Sequence, residues 1–465
     1  MGALSQPTDW KRRALTCGQR PCILRCGSAL TRREEAAMRS RTLRCALVGL
    51  LALAALLVPA ANAATAGDRT LAQGTRFLVP VPNRGAVQQA IDLLAHHRRL
   101  DAARIAKMAA TPQAVWVTRG TPADASLAVR EATALADVQH AVAVLVAYNI
   151  PGRDCGGLSA GGALTTADYE AWIDGFAAGI GTHKAVVILE PDGLGLLPSS
   201  CNNGAGEPGF TDAARYQEIN YAVDALEAQP NAIVYLDATH TAWLNVHDAA
   251  SRLLQAGVAR AQGFFLNISN FQYTPNLVQY GTWISKCIAR ITGTPPSDDC
   301  PDQYWNGGPH PAHIADLLGE WTGVALSRYG VWSDTTDTPE LNTSGENTRY
   351  AGTDGTTHFV VDTSRNGLGP WNFPGTYPSD AVAQDWCNPP GRGLGARPVA
   401  RPVAGNPLVD AFLWVKVPGE SDGQCTRGTA GPADPEWGVV DPAAGQWFPQ
   451  QALQLAQLAT PPLLP

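Results

Sequence analysis

Seven short, almost uninterrupted apolar runs constrain this chain more than any other feature. They are AVWVT (114–118), AVAVLVAY (141–148), AVVILE (185–190), AIVYLD (232–237), GFFLN (263–267), HFVVD (358–362) and AFLWVK (411–416). A strand with one wet face alternates polar and apolar residues, whereas a strand covered on both faces is apolar throughout. Helical patterns such as TTADYEAWIDGFAAGI (165–180) and TDAARYQEINYAVDALEA (211–228) separate the runs. The second opens on Thr211 and Asp212, residue types that cap helix N-termini. Strands alternating with helices imply a parallel sheet. Seven of them predict an α/β fold in which a β/α barrel is favoured over an open doubly wound sheet.

The strand ends support the barrel. Nearly every run finishes in polar side chains: Tyr148 followed by Arg153 and Asp154; Glu190 and Asp192; Asp237 and His240; Asn267 and Asn270; Asp362; then Lys416, Glu420 and Asp422. A barrel gathers the C-terminal ends of its strands around one mouth, where active sites form. An open sheet would spread them along an edge.

Apolar residues make up 45% of the 465 residues and charged residues 16%, so a large core is expected and disorder is not. The net charge of −7 argues against nucleic acid and anionic membranes, which need a basic surface. From Met38 the chain reads as a secretory leader: three arginines, an apolar core from Ala46 to Ala60, then Ala61-Asn62-Ala63. That core is shorter than the roughly 20 residues of a membrane span. The reading divides the chain into upstream sequence at 1–37, a signal peptide at 38–63 and one catalytic domain at 64–465. The protein is then secreted, to the medium or the periplasm. Six cysteines follow the predicted cut: Cys155, Cys201, Cys287, Cys300, Cys387 and Cys425. An even set in an exported chain predicts three disulfides, with 15 pairings open. The absence of CxxC and of paired histidines at ligand spacing gives no reason to expect a metal.

The predicted mouth is rich in carboxylates and poor in histidine. Two carboxyls flanking a bond supply the acid and base of glycoside hydrolysis. Asp192, at the end of a buried strand with other acids near, has the setting that raises a carboxyl pKa. Asp422, in the glycine-rich PGESDGQC, is the candidate across the mouth. Trp116, Trp243 and Trp386, among 13 tryptophans, lie on or beyond strand ends, where an indole offers a face for a sugar ring. Two motifs are set aside. Gly157-Leu158-Ser159-Ala160-Gly161 matches G-x-S-x-G but does not sit between a strand and a helix. Asn267-Ile268-Ser269 matches a glycosylation sequon but ends a strand at the mouth. Glu190 is expected to be structural.

VAYNIPGRDCGGLSAGG (146–162) and VVILEPDGLG (186–195) resemble the two signature segments of glycoside hydrolase family 6, the cellulases. YLDATHTAW (235–243), DTSRNGLGPW (362–371), DWCNPPGRGLG (385–395) and AFLWVKVPGESDG (411–423) resemble later blocks of that family in the same order, over about residues 76–458. The resemblance implies a distorted seven-stranded β/α barrel that cuts β-1,4-glucosidic bonds with inversion. It implies no cofactor, and a monomer acting on cellulose or cello-oligosaccharides. Carried onto matching positions, Asp192 is the proton donor, Asp154 holds up its pKa, Asp422 is the proposed base and Tyr148 lies beside the distorted sugar. Trp116, Trp243 and Trp386 match sugar platforms. His240, Asn270, Lys416 and Glu420 match hydrogen-bonding positions. The implied disulfides are Cys155–Cys201 and Cys387–Cys425, which leaves Cys287 and Cys300 as the remaining pair.

The stretches 155–168 and 425–448 resemble the long covering loops of the family's cellobiohydrolases, and the insert 271–358 adds cover. An exo-acting cellobiohydrolase releasing cellobiose from non-reducing ends is therefore expected. An endo-acting glucanase and a catalytically silent glucan-binding protein are the alternatives. Val246 stands where some fungal members carry a further tryptophan.

Overall fold

The structure, a computed structural model, describes residues 68–304 and 324–464. The expected leader and the sequence upstream of it fall outside the described residues. Every apolar run contains a strand: β1 (Val115–Val117), β2 (Ala143–Ala147), β3 (Ala185–Leu189), β4 (Ala232–Asp237), β5 (Gly263–Leu266), β6 (His358–Asp362) and β8 (Val409–Leu413). A further two-residue strand, β7 (Val399–Ala400), was too short to register as an apolar run. The order across the sheet is β1-β2-β3-β4-β5-β6-β8-β7, parallel except for the β7–β8 pair.

The sheet curls into an α/β barrel with an imperfect seam. Where β1 and β8 meet, no ladder forms among the described residues. The Ala114 N–H donates to the Trp414 carbonyl at 2.9 Å, and the Trp116 indole N–H donates to the Val415 carbonyl at 2.8 Å. The last run ends as a strand at Leu413 rather than at Lys416, because a side chain takes over from the ladder. The N–H groups of Val415 and Lys416 donate to the carboxylate of Asp362 at 3.2 and 3.0 Å.

Alternation on the strands explains why the runs are apolar throughout. Val144, Val146, Val186, Ile188, Ile233, Tyr235, Phe265 and Val360 form the barrel interior. Their neighbours Leu145, Ala147, Val187, Leu189, Val234, Leu236, Phe264 and Val361 face the surrounding helices. Both faces are dry, so neither face of a strand carries a polar stripe. The expected helices appear as Thr166–Ile180 and Asp212–Glu227, capped by the hydroxyls of Thr165 and Thr211. Pro122–Val138 starts on a reciprocal cap between Thr121 and Asp124, with proline in its first turn.

Three disulfides join Cys155 to Cys201, Cys287 to Cys300 and Cys387 to Cys425. Among the described residues no helix is long and apolar enough to cross a membrane.

Candidate active site

A cleft of about 970 Å³ lies at the C-terminal ends of the strands, and all eleven catalytic and sugar-binding side chains singled out from the sequence line it. Two residues lining it, Asp154 (φ 58°) and Asp192 (φ 65°), and three buried ones near the strand ends, Glu190 (φ 50°), Thr239 (φ 57°) and Asn267 (φ 71°), hold the left-handed backbone that side chains seldom adopt. Such strain persists only where the surroundings over-determine it, and it gathers at functional sites.

Glu190 and Asp192 occupy unlike places despite their spacing. Glu190 is fully buried and accepts hydrogen bonds from the backbone N–H groups of Asn149 (3.0 and 2.9 Å) and Ile150 (3.0 Å). It ties the end of β3 to the turn leaving β2. Burial raises its carboxyl to about 7, with those two N–H groups opposing. Asp192, beyond Pro191, lines the cleft with part of its surface open to it. Burial pushes its pKa well above the usual carboxylate range, and the charges of Asp237, Asp154 and Asp422 push it further, against Lys416. The turn after Asp192 lies close to the Trp243 ring: a Cβ at Gly195 would stand 2.8 Å from Cζ2.

Asp237 accepts from the N–H groups of Leu194 (3.2 Å), Gly195 (3.0 Å) and Thr239 (2.9 Å), so it holds the Asp192 turn against the end of β4. Asp154 accepts from the Ser159 N–H at 2.6 Å. Its carboxyl is raised by burial, with Ser159 and Arg153 opposing. Arg153 donates to the carbonyls of Thr118 (2.9 Å), Tyr148 (2.5 Å) and Ser159 (2.9 Å), and its guanidinium lies 4.4 Å from the Tyr148 ring centre. Burial, then the charges of Asp192 and Asp154, push the Tyr148 phenol well up, so it stays neutral. Ser159 of the G-x-S-x-G match belongs to this loop and not to a strand-to-helix elbow. Asn267 of the sequon is buried, and its amide donates to the Asp362 carbonyl at 2.9 Å.

Across the cleft, both oxygens of Asp422 are held. Arg365 donates to Oδ2 at 2.8 Å and to Oδ1 at 3.0 Å, the Lys416 ammonium is 3.2 Å from Oδ1, and the Asn388 N–H donates to Oδ2 at 3.0 Å. Burial raises this carboxyl, but Arg365 and Lys416 outweigh it, so the net pKa lies below the usual value. Arg365 stands in the DTSRNGLGPW block, yet the sequence alone gave it no role. Asp362 also accepts from the N–H groups of Ser269 (3.2 Å) and Ser364 (2.9 Å), joining the ends of β5, β6 and β8.

The Trp116 ring meets Tyr148 edge to face at 5.4 Å. Trp243 lies 5.6 Å from the His240 ring, and Trp386 is 40% exposed. Burial, then the charge of Arg328, lowers His240 to about 3, so the imidazole is neutral. Its Nδ1 accepts the Ala242 N–H at 3.2 Å, which puts the remaining proton on Nε2. The Asn270 amide oxygen accepts from the Phe271 N–H and the Gln272 amide at 2.9 and 3.1 Å. Glu420 accepts from the Asn83 amide at 2.7 Å. Its carboxyl is raised by burial, against Lys416 and Asn83. Val246 is fully buried at the start of the helix Val246–Gln255, so it offers no platform.

Parts of both long loops line this cleft, Leu158 to Gly162 from one and Ala443 to Gly445 from the other. A Cβ at Gly423 (φ 139°) would lie 2.8 Å from the Cβ of Leu158, so the 153–162 loop touches the residue next to Asp422. The 425–448 loop is braced by a fully buried pair, Arg427 to Asp434 at 2.8 Å. The cluster of Cys425, Asp434 and Asp441 has metal-like spacing, but its sulfur is in the disulfide with Cys387 and Asp434 is held by Arg427.

Residues 72–459 match the family model of glycosyl hydrolases family 6. The chain is 35% identical to endoglucanase A of Cellulomonas fimi over 77% of its own length and 57% of the relative's. It is 29% identical to a probable 1,4-beta-D-glucan cellobiohydrolase C of Aspergillus fumigatus, over 68% of this chain and 62% of that one. The chain thus spans about three-fifths of the length of these two relatives. The endoglucanase Cel6 from Mycobacterium tuberculosis, solved with methyl-cellobiosyl-4-deoxy-4-thio-beta-D-cellobioside, superposes with a TM-score of 0.57 at 31% identity, covering 84% of this chain and 99% of that one. With the motif blocks, the curled parallel sheet and a match across most of the sequence, the chain belongs to glycosyl hydrolases family 6.

Proposed function

We propose that this protein is a secreted, monomeric cellulase. It hydrolyses β-1,4-glucosidic bonds in cellulose or cello-oligosaccharides with inversion, and it needs no cofactor. The observation that carries the reading is Asp192. Its carboxyl opens onto a tryptophan-walled cleft and is kept protonated by burial and by Asp237, Asp154 and Asp422. A carboxyl in that state donates its proton to the departing glycosidic oxygen as the bond breaks. Neutral Tyr148 packs beside the reacting sugar, and the carboxyl of Asp154 steadies positive charge at the anomeric carbon. Water attacks from the opposite face of the ring. Both oxygens of Asp422 are tied to cations, so its charge receives the water's proton through an intervening water rather than by direct contact.

Within the family we assign exo action, with release of cellobiose from non-reducing ends. The two long loops lining the cleft support this, since Leu158 reaches Gly423 and a buried ion pair braces the 425–448 loop. The endo-acting reading has support in the endoglucanase name of the Cellulomonas relative. Export is supported by three disulfides, which persist in oxidising surroundings. Incubation with cellulose and with soluble carboxymethyl-cellulose tests the assignment. Cellobiose as the main product, released first as the α anomer with little loss of viscosity, is the expected result. A rapid fall in viscosity overturns exo action. Release of no sugar from either substrate overturns catalysis and leaves glucan binding.

A further inference from the structure

We propose that Arg328, carried by the 271–358 insert, is a positioning residue that fixes the Trp386 platform relative to Trp243. The inference rests on the glucan-cleft reading and adds the device that sets the spacing of two of its walls.

Trp243 and Trp386 come from distant parts of the fold. Trp243 follows β4, whereas Trp386 lies between β6 and β7, just after the four-residue helix Asp380–Ala383. Trp386 is 40% exposed, so packing alone holds it weakly. The insert grips both segments. The Gln303 amide donates to the carbonyls of Thr241 (3.1 Å) and Leu244 (2.9 Å), and the Tyr304 hydroxyl donates to the Trp243 carbonyl at 3.2 Å. The Leu326 N–H donates to the Gln303 carbonyl at 2.7 Å, which couples this first grip to the strip that carries Arg328.

Arg328 then pairs with Asp385, the residue before Trp386, and stands 3.4 Å from Asp380. The Arg328 and Asp385 side chains are only 16% and 12% exposed. A pair so largely desolvated holds its geometry better than a rim pair. The guanidinium also lies 4.8 Å from the Tyr329 ring centre. Arg328, Asp380, Asp385 and Trp386 all line the cleft, so the clasp sits on the path of a bound chain. The Cys287–Cys300 disulfide closes the insert's base just before Gln303.

The test measures KM and kcat on cellohexaose for Arg328→Ala, Arg328→Lys, Asp385→Asn, the Arg328→Ala/Asp385→Asn double variant and Trp386→Ala. A freed platform weakens capture of a long chain without touching the acid, so Arg328→Ala raises KM by about 5-fold with kcat within about twofold. Arg328→Lys keeps the charge and recovers part of the loss, and the double variant is no worse than Arg328→Ala, since both remove one interaction. An unchanged KM in Arg328→Ala, or a double variant whose losses add, overturns the clasp. If Arg328→Ala does not fold, Arg328→Lys and Asp385→Asn carry the same test. Trp386→Ala separates the two levels of inference. If it leaves KM unchanged, the platform reading fails and the clasp with it. If it raises KM while the Arg328 variants do not, the clasp alone is wrong.

Discussion

Arg365 and Asp422 form a two-pronged ion pair sealed from solvent, with guanidinium nitrogens 2.8 and 3.0 Å from the two carboxylate oxygens. The arginine projects from beyond β6 and the aspartate from beyond β8, so the pair fixes one wall of the cleft. It also keeps Asp422 ionised despite complete burial, because the two neighbouring cations outweigh desolvation.

Removing one partner of such a pair strands a buried charge. Arg365→Gln is expected to destabilise the protein by about 3 kcal/mol near pH 7. The pKa of Asp422 is depressed in the folded state, so its contribution is present above its unfolded value and is lost as pH falls through the folded one. The deficit of the variant therefore narrows as the medium is acidified below about pH 4. Urea unfolding at neutral and acidic pH measures it. In the same variant the acid limb of the kcat/KM profile moves to higher pH, since Asp422 loses one of the two cations that hold it ionised and keeps only Lys416.

Asp192→Ala is expected to lose nearly all activity on cellulose while still binding cello-oligosaccharide, because the platforms are untouched. General acid catalysis contributes about 10²- to 10⁴-fold, which sets the scale of the loss. Retained activity on an unactivated glucan would refute the assignment. Asp237→Asn removes the largest charge acting on Asp192, so the pKa of Asp192 falls and the basic limb of the activity profile shifts to lower pH. A pH–rate series on both proteins compares the limbs.

The disulfide from Cys155 to Cys201 anchors the loop that carries Asp154 and Ser159. It closes a 46-residue separation, for which loop-closure entropy predicts about 4 kcal/mol of stabilisation. Replacing both cysteines by serine is expected to lower the melting temperature and to reduce kcat more than it raises KM. Calorimetry and steady-state kinetics on the same preparation separate the two effects.

Glu346 is wholly buried on the short helix Ser344–Arg349, and among the described residues neither carboxyl oxygen has a hydrogen-bonding neighbour outside its own residue. Burial raises its pKa to about 8, and Asp302 and Asp334 add to the shift. A carboxyl raised in the folded state stabilises fully below its unfolded pKa, and the contribution is lost as pH rises toward 8. Glu346→Gln, which cannot ionise, is expected to melt about 2–4 °C above the parent at pH 8 and close to it at pH 5. Equal melting curves at pH 8 would contradict a neutral Glu346.

The strands were legible because both of their faces are dry: one layer of Val, Ile and Phe fills the barrel and the next packs on helices. β7 was not, since two residues leave no period to read. The end of β8 was misplaced by three residues, because the competition came from the distant carboxylate of Asp362. The eleven mouth residues could be named because polar groups after an apolar run stand out, and the motif blocks supplied their candidate roles. Arg365 and Arg328 could not be picked out the same way. A lone arginine in a loop reads as a solvated charge until a carboxylate far along the chain is brought to meet it, 57 residues away in each case.

The spacing of two acids around Pro191, Glu190 and Asp192, shows where the division falls. Composition and pattern determined that β3 is buried and that its end carries carboxyl groups, because burial and periodicity are local properties of a sequence. Only the tertiary structure decided that Glu190 turns inward to the N–H groups of Asn149 and Ile150, and that Asp192 faces the cleft among Asp154, Asp237 and Asp422. A carboxyl's protonation depends on the charges and solvent within a few ångströms of it, and the neighbours of Asp192 come from the ends of three other strands.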